Sequence, residues 1–197
     1  MTISLKADAG GSSGTIQING VDKVTVDGTG VSAGISQGSA LITSGTPVSA
    51  SGTSVDFTSI PSWVKRITVM FSGLSTNGTS AKLIQIGDSG GIESTGYIGI
   101  GSTNSTGTSP SITNYTAGFG INNSSVAAQT DQGAATLTLM DAATNLWAFT
   151  SIAGRDNAVM MFGAGSKALS ETLDRVRITT VNGTDTFDAG TINILYE

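Results

Sequence analysis

From Ser54 onward the chain alternates apolar and polar residues with a period of two, in one short run after another. In "KRITVMFS" (65–72) the alternation sets Ile67, Val69 and Phe71 on one face and Arg66, Thr68 and Met70 on the other, as in a half-buried strand. Further strands are predicted at 54–57, in "KLIQIG" and "TGYIGIG", and at 115–121, 134–141, 146–152, 158–163, 175–180 and 191–197. They recur at roughly 10–15 residues with turn residues between them, which favours a sandwich or barrel. "SIPSW" (59–63) reads as a turn. Two stretches break the pattern. "SKALSETLDR" (166–175) reads as a helical turn with Ser170 as its cap, and "GSTNSTGTSPSITN" (101–114) reads as a long polar loop.

The first fifty residues follow a thinner version of the same pattern. "TIQI" (15–18) and "KVTV" (23–26) alternate, with the turn strings "NGVD" and "DGTG" after them. All eleven aromatics lie at or after Phe57, so we place a boundary near residue 50. Residues 1–50 form a short extended β N-terminal arm, and residues 51–197 an all-β, jelly-roll-like β-sandwich. The arm's apolar residues are few and small. They cannot offset the entropy of ordering, about 1–2 kcal/mol per residue of backbone, and an isolated hairpin is marginal in water. Ile16, Ile18, Val24 and Val26 are therefore expected to pack on copies of themselves or on a partner.

Composition narrows the function. Only 12% of residues are charged, Gly contributes 27, and the net charge is −5. True disorder couples low hydrophobicity to high net charge; with a mean hydropathy of +0.15, a folded β protein rich in turns is expected. The few Lys and Arg are scattered, so no basic stripe suits nucleic acid. No apolar run approaches the length of a membrane span, and the N-terminus lacks the pattern of a signal peptide. Neither Cys nor His occurs, so disulfides and the usual zinc, copper and iron ligand sets are missing. No cofactor is expected, and the metal reading reduces to a calcium site of Asp and backbone carbonyls, for which no Asp-x-Asp-x-Asp-Gly loop is present.

One string demands separate attention. "GDSGG" (87–91) is the sequence that surrounds the nucleophilic serine of trypsin-like proteases. Ser89 cannot belong to a Ser-His-Asp triad, because no imidazole exists to carry its proton. A serine–lysine dyad with Lys82 or Lys65 is the remaining alternative. The simpler reading makes 82–88 a strand and "DSGG" its turn. Glycan hydrolysis would need two carboxylates about 5–9 Å apart, drawn from Asp88, Glu93, Asp141, Asp156, Glu171, Asp174, Asp185 and Asp188. These are dispersed, and most lie in turn strings, so no catalytic residue is expected.

The segment "SGTSVDFTSIPSWVKRITVMFSGLSTNGTSAKLIQIGDSGGIESTGYIG" resembles one found in tail-fibre and related virion proteins of tailed bacteriophages. The ending "DTFDAGTINILYE" resembles the C-terminal strand pair of the same group, and "AGGSSGTIQINGVDKVTVDGTGV" is similar to the short β modules that open many phage fibres. The resemblance implies a homotrimeric virion protein assembled in the host cytoplasm, with the N-terminal part docked on other virion proteins of tail or capsid and the C-terminal domain facing out. The chain has only about 50 residues before its domain, against the long shafts of many fibres. That length fits a short receptor-binding appendage on the tail, or alternatively a capsid decoration protein (head fibre or cement). A third reading is a non-catalytic carbohydrate-binding module. Host glycan or protein would be met by exposed aromatics; Trp63, Tyr97, Tyr115 and Trp147 are the candidates. Tyr115, beside the polar loop, leads, followed by Tyr97 and Trp147.

Overall fold

In a computed structural model of the chain, residues 42–156 and 158–197 are described in full. Before them the backbone of 3–7, 13–18, 21–27 and 30–32 is described, with the side chain of Ile16 alone. The described residues contain strands and turns and no helix. They divide into two units, Met1–Leu41 and Ile42–Glu197.

The N-terminal unit is an antiparallel meander of β1 (Ile3–Ala7), β2 (Ser13–Ile18), β3 (Val21–Asp27) and β4 (Gly30–Ser32), each strand paired with the next. Ile16 stands opposite Val24 and is exposed. The side chains of Ile18, Val24 and Val26, expected to line a shared core, lie outside the described residues.

The C-terminal unit begins earlier than the aromatic asymmetry suggests. The short strands β5 (Thr43–Ser44) and β6 (Val48–Ser49) pair with the last strand of the chain, so residues 42–50 belong here and not to the arm. There follow β7 (Ser54–Phe57), β8 (Arg66–Thr76), β9 (Lys82–Asp88), β10 (Gly91–Ile92), β11 (Ile98–Ser105), β12 (Ser111–Tyr115) and β13 (Phe119–Gly120). The long strands β14 (Asp131–Asp141), β15 (Leu146–Arg155) and β16 (Val159–Ala168) come next, then β17 (Arg175–Thr180) and β18 (Phe187–Tyr196).

They form two antiparallel sheets. The larger runs β12-β11-β16-β15-β14-β8-β18-β5 with β6 also on β18; the smaller runs β10-β9-β17-β7 with β13 on β9. Ile67, Val69, Leu137, Phe149, Met161 and Ile194 of the larger sheet share one apolar core with Val55, Ile84, Ile86, Val176 and Ile178 of the smaller, as in a β-sandwich. Strand β9 is buried along its whole length. Ile84 and Ile86 enter the main core, while Leu83 packs with Ala81 and Tyr115 in a second small cluster.

Three local expectations are overturned. Residues 101–114 are no loop: β11 and β12 pair from Gly99↔Tyr115 to Thr103↔Ser111, leaving a tight turn at the tip. Polar Ser, Thr and Asn fill these strands, which hides them from a hydrophobic period. Residues 115–121 are not one strand; β12 ends at Tyr115 and only Phe119–Gly120 pairs again. Residues 166–175 form no helical turn. Lys167 lies in β16 opposite Trp147, and the backbone N–H groups of Ser170 and Glu171 donate to Glu93 (2.7 Å) and Asp88 (3.1 Å). The Ser170 hydroxyl, the predicted cap, is spent on Asp88 and Glu93, and Ser166–Ala168 are held in β16.

Candidate binding cleft and exposed surfaces

The string GDSGG is the end of β9, a turn and the start of β10. Asp88 accepts from the Gly90 N–H at 2.8 Å, closing the turn on itself. The Ser89 hydroxyl faces Glu171 at 3.3 Å. Lys82 stands at the opposite end of β9, roughly 20 Å away along an extended strand, so the serine–lysine dyad with Lys82 is ruled out.

What surrounds the turn is a polar staple. The Ser170 hydroxyl lies 2.7 Å from Asp88 Oδ2 and 2.8 Å from Glu93 Oε1, and Lys167 pairs with Glu93. The Ser170 hydroxyl bond, aided by the N–H groups of Gly90 and Glu171, holds the Asp88 carboxyl below its ordinary value. Burial works against ionised Glu93, but Lys167 and Ser170 outweigh it, and its carboxyl also titrates low. Two carboxylates this close are both engaged in fixing residues 168–174 to the β9–β10 hairpin.

A second polar cluster is fully enclosed. Asp131 accepts from Lys82 Nζ at 2.7 Å and from Arg155 Nε at 2.8 Å. Ser125 takes another Lys82 proton at 3.1 Å, and the Ser124 carbonyl another from Arg155 at 3.0 Å. Burial, more than Arg155 beside it, pushes the Lys82 ammonium below its ordinary value, against the pull of Asp131.

The aromatics chosen from the sequence as receptor contacts lie inside. Tyr97, Tyr115 and Trp147 are 3%, 7% and 2% exposed, so none can offer a ring face to a ligand. Each has a structural task. Tyr97 receives the Ile86 N–H at 2.8 Å and donates to the Glu93 carbonyl at 2.9 Å, and burial drives its phenol far above the ordinary range. The Tyr115 hydroxyl donates to the Asn122 carbonyl at 2.9 Å. Its ring occupies the space where a Cβ on Gly101 or Gly120 would stand, so both positions demand glycine. Trp147 belongs to the main core and faces a cleft of about 70 Å³ with Lys65, Asn145 and Leu173. Tyr97→Phe should cost about 1–3 kcal/mol, because it orphans the buried Ile86 N–H. Urea unfolding checks this; an unchanged midpoint would show that water reaches the site.

Trp63, the fourth aromatic, is the exposed one, at 48%. It closes the "SIPSW" turn, where Ser59 adopts a positive φ of 61° and the Ile60 N–H bonds to the Asp174 carbonyl at 2.9 Å. Its ring lies 5.9 Å from that of Tyr196, tilted by 48°. Beside Tyr196 opens a cleft of about 160 Å³ lined by Ile42, Arg66, Thr68, Leu195 and Glu197. Arg66 pairs with Glu197 at its rim. An indole face, a phenol edge, a guanidinium, a carboxylate and a threonine hydroxyl are the groups that bind a sugar ring and its hydroxyls. The string "NLWAFTS" already favours a core role for Trp147 over a surface one, while nothing in "SIPSW" marks Trp63 as the exposed aromatic.

The outward positions of the larger sheet form another exposed surface. Ile98 and Ile100 on β11, Ile112 on β12, Ile152 on β15, and Met160 and Phe162 on β16 are all exposed. Compared with protein-family models, curated proteins and solved structures, the chain has no match.

Proposed function

We propose that the protein is a bacteriophage virion structural protein, a short homotrimeric receptor-binding appendage whose N-terminal unit docks on the particle. The fibre-like segments of the sequence support this reading, and so does the division into a small β meander and a larger sandwich. The observation that carries the receptor-binding part is the exposed Trp63–Tyr196 pair beside the cleft of Arg66, Thr68 and Glu197. In this reading a host surface glycan stacks on Trp63 and bonds to the cleft's polar rim. The same observation keeps a stand-alone carbohydrate-binding module as the second reading.

Two measurements test it together. Light scattering on the full chain should give about three times 19.8 kDa, and labelled protein should adsorb to host cells through Trp63. Trp63→Ala, at an exposed position, should abolish adsorption with unchanged mass and melting temperature. A trimer that adsorbs equally well without Trp63 would move recognition elsewhere. A monomer that binds glycan would favour the module.

A further inference from the structure

We infer that the outer face of the larger sheet, from β12 through β14, is the surface on which a second copy of this chain packs. The inference deepens the homotrimer proposed above and rests on that reading only for the number of copies.

Alternation within the strands decides what this face shows. Along β15, Trp147, Phe149, Ser151, Ala153 and Arg155 are buried, and Ala148, Thr150, Ile152 and Gly154 point out. Along β16, Lys167 turns in, while Met160, Phe162 and Ala164 turn out. The registers Ile112↔Ser102, Ser102↔Phe162, Phe162↔Ile152 and Ile152↔Ala134 align these outward side chains in one row across five strands. Ala134 stands opposite Met70 of β8, which extends the row. The large apolar members are not marginally exposed: Ile98 is 73% accessible, Ile112 65% and Ile152 60%. Scattered surface isoleucines need no explanation, but a contiguous apolar patch does.

Area and charge both select a copy of the chain as the occupant. Five strands, each about 4.8 Å wide, and eight residues of about 3.3 Å give a face on the order of 600 Å² in projection. Corrugated side chains present more than that, close to the roughly 800 Å² per partner of a stable interface. No outward position from β12 through β14 carries a charge until Asp141, beyond the bulge that ends β14. The chain bears a net −5, so the like-charge repulsion that would oppose self-contact is absent from this face. A partner chosen by opposite charge would find nothing to pair with there. Between the isoleucines stand Ala, Thr, Ser and Gly, small residues that let the sheets of neighbouring copies approach closely around a shared axis.

The test is the native mass of the full chain over a concentration series, for the wild type and for Phe162→Glu and Ile152→Glu. Both side chains point outward, so the melting temperature of the dissociated protein should hold. A charge buried without a partner in the interface should raise the dissociation constant about 100-fold or more, whereas Ile152→Val should assemble like the wild type. Should Phe162→Glu fail to fold, Ile98→Lys near the start of β11 gives the same reading. If the face variants assemble as tightly as the wild type while Ile18→Asp yields monomers, the N-terminal unit holds the copies. The inference then falls and the trimeric appendage stands. If the face variants and Ile18→Asp all stay full-size, the interface lies elsewhere and the inference falls again. A wild-type chain that is monomeric at every concentration overturns both.

Discussion

Alanine at Asp131 will cost the C-terminal unit about 3–5 kcal/mol, the range for removing one member of a buried ionic cluster. Asp131 and Lys82 are 0% exposed and Arg155 is 6%. The carboxylate is the anion that both cations contact, at 2.7 and 2.8 Å. Its removal leaves two positive charges in a region water does not reach, with Ser125, the Ser124 carbonyl and the Met161 sulfur as their remaining bonding partners and Asp188 as the remaining carboxylate that acts on Lys82. Lys82→Met is the informative contrast. It keeps the Asp131–Arg155 pair and takes out the cation whose burial already disfavours its charged form, so its cost should be far smaller. The pH dependence carries a sign. A lysine held below 10.5 in the folded state binds its proton more tightly when unfolded. The Lys82 contribution to stability therefore rises with pH through the window between its lowered value and 10.5. Lys82→Met should flatten that rise below the tyrosine range near pH 10. Chemical denaturation at several pH values measures both effects; a cost under about 1 kcal/mol for Asp131→Ala would mean that the cluster is solvated.

The larger sheet was legible wherever one face is apolar and the other is not. The split of Ile67, Val69 and Phe71 from Arg66, Thr68 and Met70 is the observed one, because β8 has a core on one side only. The turn reading of GDSGG also follows from local chemistry, since Asp88 closes that turn with its own side chain. What failed had non-local causes. Strand β12 is hidden because its partner β11 supplies the order and its own residues are mostly polar. Ser166–Arg175 has the composition of a helical turn, yet Ser166–Ala168 pair as the end of β16, and Asp88 and Glu93, some eighty residues earlier, hold the Ser170 hydroxyl. The aromatic candidates failed for a related reason. A tyrosine in a polar string reads as exposed, but Tyr97 and Tyr115 are drawn inward by backbone partners on other strands. Trp63 was visible as a candidate, while its pairing with Tyr196 joins residues 133 positions apart. The outer face was present in the pattern as Ile152 and Phe162 out of phase with their buried neighbours, but strand order had to be known before they formed a row.

Phe119→Ala should also cost about 3–5 kcal/mol, and for more than its volume. Phe119 is wholly buried. Its ring stacks on Phe149 at 4.5 Å, with an interplanar angle of 3°, and meets Tyr97 edge-on at 4.9 Å. It belongs to a strand of two residues that pairs with β9 at Ile84 and Leu83, and the Ile121 N–H next to it donates to the Lys82 carbonyl at 3.0 Å. The side chain, together with the equally buried Ile121, anchors residues 116–122 to the core along β9. Gln85 reaches the Ala117 carbonyl at 2.7 Å, and Asn122 accepts the Lys82 N–H at 2.9 Å. Two outcomes separate the ring's packing from its anchoring. If the segment stays in place, the variant contains a dry apolar cavity between Phe149 and Tyr97. Benzene should then raise its melting temperature and leave the wild type unmoved. If the segment detaches, benzene has no cavity to fill, and amide exchange should quicken along β9, which loses this partner. Phe119→Leu distinguishes the two further: it keeps the anchor and should cost only about 1–2 kcal/mol. Loss of anchoring also predicts coupling with Asp131→Ala. Asn122 and Ser125 tie the segment to Lys82, so the double variant should lose less than the sum of the single losses.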